Sequence, residues 1–193
     1  MKSYRIAAYI SGSGSNLKAV IDSSLKGVIN SKVHLVIANR EASGLEYPSS
    51  LGIETAVISR EGQPRSEFIK KQLDLLDKHC IDLIILAGFL KKLPDEIVKK
   101  FKGKILNIHP ALLPKFGGKG MHGMTVHKAV IEAGERFSGP TVHFVDEKYD
   151  NGEILVQRKI GLEKNETPES LQKKVLKIEH EIYTEAIKIM EER

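Results

Sequence analysis

Short apolar, β-branched runs alternate along the chain with segments whose apolar residues recur every three or four positions. Arg5–Ile10 predicts a strand, Ser15–Ser24 a helix, Val33–Ala38 a strand and Gly44–Leu51 a short helix. Thr55–Ile58 follows as a strand. Arg65–His79 carries Phe68, Ile69, Gln72, Leu73 and Leu76 at helical spacing, with Leu73 and Leu76 on the inner face. Leu83–Leu86 has no polar residue, the pattern of a strand buried on both faces. Pro94–Lys100 predicts a helix opened by proline, and Lys104–Ile108 another strand. Strands and helices in alternation predict an α/β fold, with a mostly parallel central sheet and helices on both faces. Each crossover should be right-handed.

The pattern changes after Ile108. His109–Met124 is a long loop holding two prolines and four glycines; in a compact domain such a length points to function. Val126–Gly134 predicts a short helix. Thr141–Val145 and Ile154–Ile160 predict strands on either side of Asp146–Glu153. Pro168–Glu192 predicts the longest helix, with Leu171, Val175, Ile178, Ile182, Ala186 and Ile189 as its buried stripe. No repeat, low-complexity tract or linker interrupts the 193 residues, so one domain over 1–193 is expected.

Composition narrows the classes. With 41% hydrophobic and 28% charged residues the chain reads as globular rather than disordered. No apolar run approaches the roughly 18 residues of a membrane span, and the first residues lack the pattern of a signal peptide. Cys80 is the single cysteine, which excludes an intrachain disulfide framework and a multi-cysteine zinc site. A cytoplasmic location is therefore expected. The net charge of +5 suits a small anionic ligand. Nucleic acid is not expected: there is no Trp, and the lysines are single or paired (Lys70-Lys71, Lys173-Lys174) rather than gathered in a stripe.

Three segments carry candidate chemistry. Ile10-Ser11-Gly12-Ser13-Gly14-Ser15-Asn16 follows the first strand and opens the first helix. Glycine lets the backbone approach a ligand closely, and a helix N-terminus offers unpaired N–H groups with partial positive charge. The segment lacks the third glycine of a dinucleotide turn and the Gly-Lys-Ser/Thr of a Walker motif. A single phosphate monoester fits it better; a tight turn capped by Ser13 or Ser15 is the structural alternative.

Leu106-Asn107-Ile108-His109-Pro110 ends an internal strand, and ligands of open parallel sheets bind beyond such ends. Period two puts Asn107 and His109 on one face. An amide donor beside an imidazole can polarise a carbonyl and manage its proton. Asp150-Asn151-Gly152 is a turn sequence that could bring a carboxylate to the same edge. Asp150 close to His109 would raise the histidine's pKa. His122, His127 and His143 show no metal-ligand pattern, so no metal is expected.

Together these segments resemble the phosphoribosylglycinamide formyltransferases, also called glycinamide ribonucleotide transformylases. The resemblance rests on Ile-Ser-Gly-x-Gly-Ser-Asn-Leu (Ile10–Leu17), Leu-Ala-Gly-Phe (Leu86–Phe89) and Leu-Asn-Ile-His-Pro-x-Leu-Leu-Pro (Leu106–Pro114). Val-His-Phe-Val (Val142–Val145), Asp-x-Gly (Asp150–Gly152) and Glu-His-x-Ile-Tyr (Glu179–Tyr183) extend it to the last helix. It implies a Rossmann-like formyltransferase fold with a nucleotide-binding βα half over 1–108. The loop, final strands and C-terminal helix would fill 109–193.

It also implies formyl transfer from 10-formyltetrahydrofolate to the amine of glycinamide ribonucleotide, in purine biosynthesis, without a metal. Asn107, His109 and Asp150 match the family's catalytic trio. Gly14, Ser15, Asn16, Leu17 and Lys18 match its ribonucleotide phosphate site, and Glu179 a residue holding the glycinamide end. Arg65, Leu90, Lys91, Lys92 and Leu93, with Asn107, match its folate site. Three departures from the family stand out. Lys115–Gly123 is longer than the common loop. Lys91 and Lys92 replace an Arg-apolar pair. Leu176 stands where some members carry a basic or amide residue. A monomer or homodimer is implied. Two other readings stay open: a formyltetrahydrofolate hydrolase, in which water replaces the amine, and a non-catalytic module for a phosphate-bearing ligand.

Overall fold

The computed structural model describes residues 2–193. Strands β1 (Arg5–Ile10), β2 (Lys32–Ala38), β3 (Glu54–Val57), β4 (Leu83–Leu86) and β5 (Ile105–His109) alternate with helices α1 (Ser15–Leu25), α2 (Glu46–Ser50), α3 (Arg65–Lys78) and α4 (Asp95–Lys100). Next come α5 (Met124–Glu132), β6 (Phe137–Ser138), β7 (Thr141–Phe144), β8 (Ile154–Gln157), β9 (Ile160–Gly161) and α6 (Pro168–Glu192). Seven strands form one sheet in the order β3-β2-β1-β4-β5-β7-β8. The first five run parallel, and β7 and β8 join antiparallel. The expected mostly parallel α/β architecture is therefore present.

Alternation along the central strands divides the core. Ile6, Ala8 and Ile10 of β1 face α1 and α6, beside Leu17, Val20, Ile182 and Ala186. Ala7 and Tyr9 face the other way, toward Leu76 of α3 and Ile97 of α4. β4 is buried along its whole length, as its unbroken apolar run predicts. Each such Ile or Leu contributes about 1.5–3 kcal/mol by leaving water.

Two expectations need correction. Ile154–Ile160 is not one strand. The Arg158 N–H bonds the Pro140 carbonyl at 3.1 Å, and the chain then leaves β7 to pair as β9 with β6. No turn residue interrupts Ile154–Ile160, so the sequence does not mark that change of partner. In α6, Ile178 and Ile189 are only half-buried, whereas Glu179, Tyr183, Ile187 and Met190 are buried. The helix packs against α1, α5 and the β7–β8 edge together, which widens its buried face beyond one stripe. Both ends of α6 are anchored. Thr167 and Ser170 form a capping box with Pro168 in the first turn. Near the other end, Glu191 Oε1 accepts from the backbone N–H groups of Asn30 (2.8 Å) and Ser31 (2.7 Å) and from the Ser31 hydroxyl (2.6 Å).

Candidate active site

The carboxyl ends of β1, β4 and β5 open onto a cavity of about 380 Å³. Tyr183 of α6 bridges β4 and β5, its buried hydroxyl lying 3.0 Å from both the Leu86 carbonyl at the end of β4 and the Leu106 carbonyl within β5. One hydroxyl proton is shared between two neighbouring strands, which ties the last helix to the centre of the sheet.

The glycine-rich turn forms one wall. Gly14 is the N-cap of α1 at φ 68°, and no side chain caps the helix, so neither Ser13 nor Ser15 takes the structural role. Ser13, Ser15 and Asn16 line the cavity. A Cβ on Gly14 would meet Gly44 Cα at 3.0 Å, and one on Gly44 would meet Gly12 O at 2.6 Å. The Gly44 N–H donates to that same Gly12 carbonyl at 3.2 Å. Gly44 therefore backs the turn from a 3₁₀ segment some thirty residues away, a role with no local sequence signal. Leu17 points into the core, and Lys18 is exposed and paired with Asp22 at 2.6 Å, so neither side chain lines this cavity.

Asn16 Nδ2 donates to Glu179 Oε2 at 2.7 Å, deep in the wall. Burial raises the pKa of Glu179, and the Asn16 bond opposes that rise. Asn16 Oδ1 is buried with no partner among the described residues. An acceptor left open here suits a ligand that brings N–H or O–H groups.

Asn107 and His109 share a face, and the turn at Asp150 returns to them. His109 Nδ1 lies 3.7 Å from Asp150 Oδ2, and Asn107 Nδ2 lies 3.4 Å from Asp150 Oδ1. Asp150 sits in the left-handed region at φ 50°. Gly152 follows because a Cβ there would overlap the Phe144 carbonyl. The loop after β5 reaches back to this group. The Gly118 N–H donates to Asp150 Oδ2 at 2.9 Å, and His109 Nε2 donates to the Phe116 carbonyl at 2.8 Å.

Sequence reasoning missed His143. It pairs directly with Asn107 across β5 and β7. Its Nδ1 donates to the Phe144 carbonyl at 2.8 Å, which leaves Nε2 to accept one Asn107 N–H at 3.1 Å. His143 thus orients the Asn107 amide. Only the antiparallel register brings the two together, and that register is not written in either segment alone.

The electrostatics correct a further expectation. Burial pulls the pKa of His109 below the ordinary imidazole value, and the nearby Asp150 charge and the Phe116 carbonyl recover only part of the loss. His109 is therefore neutral at pH 7, not held charged by Asp150. Burial alone would raise the Asp150 carboxyl, but His143, His109 and the Gly118 N–H hold it below the usual carboxylate range. His127, also on the cavity wall, is pushed down to about 4, mainly by burial and further by the charge that His109 acquires in acid.

Two further cavities adjoin. A small one of about 60 Å³ lies between Leu86, Leu93, Val145, Asn107 and Asp150. A larger one of about 550 Å³ is lined by Arg60, Arg65, Phe68, Gln72 and Lys92. Phe89 and Lys91 line all three, so the surfaces are contiguous. Arg65 is forked onto Glu96 at 2.6 and 2.9 Å, and Lys92 pairs with Asp95 at 2.8 Å. Leu90 is exposed on the wall of the first cavity, and Leu93 is buried.

The open α/β sheet thus carries a glycine turn after β1 and an Asn/His/Asp group at the carboxyl end of β5 on one cavity. The formyl transferase family model matches residues 4–187, and the chain belongs to that family. A phosphoribosylglycinamide formyltransferase, chloroplastic, from Arabidopsis thaliana is 45% identical over 193 residues, 98% of this chain. Its counterpart from Vigna unguiculata is 43% identical over 192 residues. The chain spans 66% and 62% of the lengths of these two relatives. The crystal structure of glycinamide ribonucleotide transformylase 1 from Symbiobacterium toebii superposes with a TM-score of 0.91 at 35% identity. That match covers 98% of this chain and 88% of the solved one.

Proposed function

We propose that the chain transfers the formyl group of 10-formyltetrahydrofolate to the amine of glycinamide ribonucleotide, giving N-formylglycinamide ribonucleotide and tetrahydrofolate in purine biosynthesis. The observation that carries this reading is the meeting of Asn107, His109 and Asp150 on the same cavity as an uncapped glycine turn, in a formyl transferase chain. Residues 1–193 act as one formyltransferase domain, in the cytoplasm.

The ribonucleotide phosphate sits at the turn, on the N–H groups of Gly14 to Leu17, where the helix dipole favours an anion. Leu17 contributes backbone there, whereas the Lys18 N–H is already donated to the Gly14 carbonyl at 2.8 Å. Glu179 and the open Asn16 Oδ1 take the donors of the glycinamide end. The folate lies along Leu90, Lys91, Lys92 and Leu93. The apolar walls of the small cavity suit a flat ring, and Arg65, Lys91 and Lys92 suit its carboxylates.

The amine attacks the formyl carbon and the carbonyl oxygen becomes an oxyanion. Asn107 has one N–H tied to His143; the other, held only by the 3.4 Å contact to Asp150, turns to the oxyanion. Oxyanion donors of this kind contribute about 3 kcal/mol. Neutral His109 accepts the proton of the attacking amine, becomes imidazolium beside Asp150, and returns the proton to N10 as the C–N bond breaks. For this the Phe116 carbonyl gives up its bond to His109, so the loop shifts as substrates enter.

Mixing the protein with 10-formyltetrahydrofolate, with and without glycinamide ribonucleotide, tests the function. Tetrahydrofolate and the formylated ribonucleotide should form only with both present. Formate release without the ribonucleotide would make it a hydrolase. Ribonucleotide binding without turnover would make it a binding module.

The charge state gives a further prediction. A base with a lowered pKa stays neutral further into acid, so the acid limb of activity should lie below the ordinary imidazole range. The Asp150 charge works to raise the pKa of His109. Asp150→Asn should therefore move the His109 titration to still lower pH, besides slowing turnover. Imidazole NMR of the ligand-free protein reads both values. An upward move in Asp150→Asn, or a His109 charged at pH 7, would contradict this account.

A further inference from the structure

Ser11 takes no part in the chemistry above, yet it is 2% exposed and each of its polar atoms engages a different piece of the site. Its N–H donates to the Gly88 carbonyl at 3.2 Å. Its carbonyl accepts from Arg40 Nε at 2.8 Å. Its hydroxyl accepts from the Leu90 N–H at 2.9 Å and donates to Asn39 Oδ1 at 2.6 Å. The direction of that chain is fixed. A backbone N–H can only donate, so Ser11 Oγ accepts from Leu90 and its single proton goes to Asn39.

The placement joins two sites. Ser11 is the residue where β1 passes into the glycine turn. Gly88 and Leu90 line the first cavity, and Asn39 lines the second. The β1–β4 ladder ends at Tyr9 and Leu86. Beyond it the Ala87 N–H bonds the Tyr9 carbonyl, the Ser11 N–H bonds the Gly88 carbonyl, and the Ser11 hydroxyl carries the connection on to Leu90.

We propose that Ser11 is a positioning residue that couples the two substrate cavities, so that filling one tightens binding in the other. The inference rests on the two-substrate reading above. A phosphate that orders the turn also orders Ser11. Its hydroxyl then holds the Leu90 N–H, and with it the start of the segment that runs to Leu93. A folate that orders that segment acts back on the turn through the same hydroxyl. Coupling of this kind is reciprocal by thermodynamic necessity. Each bond in the chain polarises the next, which favours the intact chain over two separate contacts.

Calorimetric titration of the whole chain tests this, using glycinamide ribonucleotide and tetrahydrofolate, a pair that does not turn over. In the natural chain each ligand should lower the Kd of the other by the same factor, about 5-fold or more. Ser11→Ala should bind both ligands with that factor reduced to near one. Ser11→Thr keeps the hydroxyl and should keep the factor. Asn39→Ala removes the far end of the chain at a half-buried position, opens no hole in the core, and should lose the factor as well. A structural role alone would weaken both ligands and leave their coupling unchanged. A natural chain with independent sites overturns the proposal, as do full coupling in Ser11→Ala or, should that variant not fold, in Asn39→Ala. A natural chain that binds neither ligand instead overturns the two-substrate reading, and the proposal with it.

Discussion

His109→Ala, Asn107→Ala and Asp150→Ala are each expected to lower turnover by at least about 100-fold. Each removes a different element of one charge arrangement. Without His109 the amine proton has no neutral base at the reacting carbon. Without Asn107 the oxyanion loses a donor that His143 holds in place at 3.1 Å. Without Asp150 the imidazolium loses its counter-charge, and the Gly118 N–H loses the carboxylate that ties the loop to the site. The three effects should be far from additive, because the groups act as a unit. The double variant His109→Ala/Asp150→Ala should be little slower than His109→Ala alone. Single-turnover rates at saturating concentrations of both substrates measure this, and near-normal turnover in His109→Ala would end the proposed mechanism.

Gly14→Val is expected to weaken ribonucleotide binding at least about 10-fold while leaving tetrahydrofolate binding largely intact. Two costs combine. A β-branched residue at φ 68° is strained in any surroundings. Its Cβ would also stand 3.0 Å from Gly44 Cα and 3.3 Å from Gly44 O, and that backbone cannot give way by a rotamer change. Gly44→Val should reproduce the loss from the opposite side, by pressing on Gly12 O and Gly14 N. Calorimetry with each ligand separately measures both. Equal loss of the two ligands in Gly14→Val would mean that the turn is only structural.

The order and type of the main elements are legible in the residues alone, because apolar period and turn residues are local properties. The alternation from Arg5 to His109 was readable, and with it the parallel half of the sheet. So was the placement of Asn107 and His109 at a strand end, because period two holds wherever β5 lies. The glycine turn was readable as well, since Gly-x-Gly between a strand and a helix carries its own geometry. The tertiary structure decided what depends on partners distant in the chain. Residue period does not tell which strand β7 pairs with or in what register, so His143 was invisible as the support of Asn107. Neither could it show that β9 leaves the main sheet for β6. The contact of Gly44 with the turn lies between two backbones thirty residues apart, and no side-chain pattern marks it. The charge of His109 is hidden from the sequence for a related reason. The carboxylate that raises its pKa is visible as a motif, but the burial that outweighs it is supplied by the loop after β5 and the surrounding core, and desolvation exists only once those parts have packed.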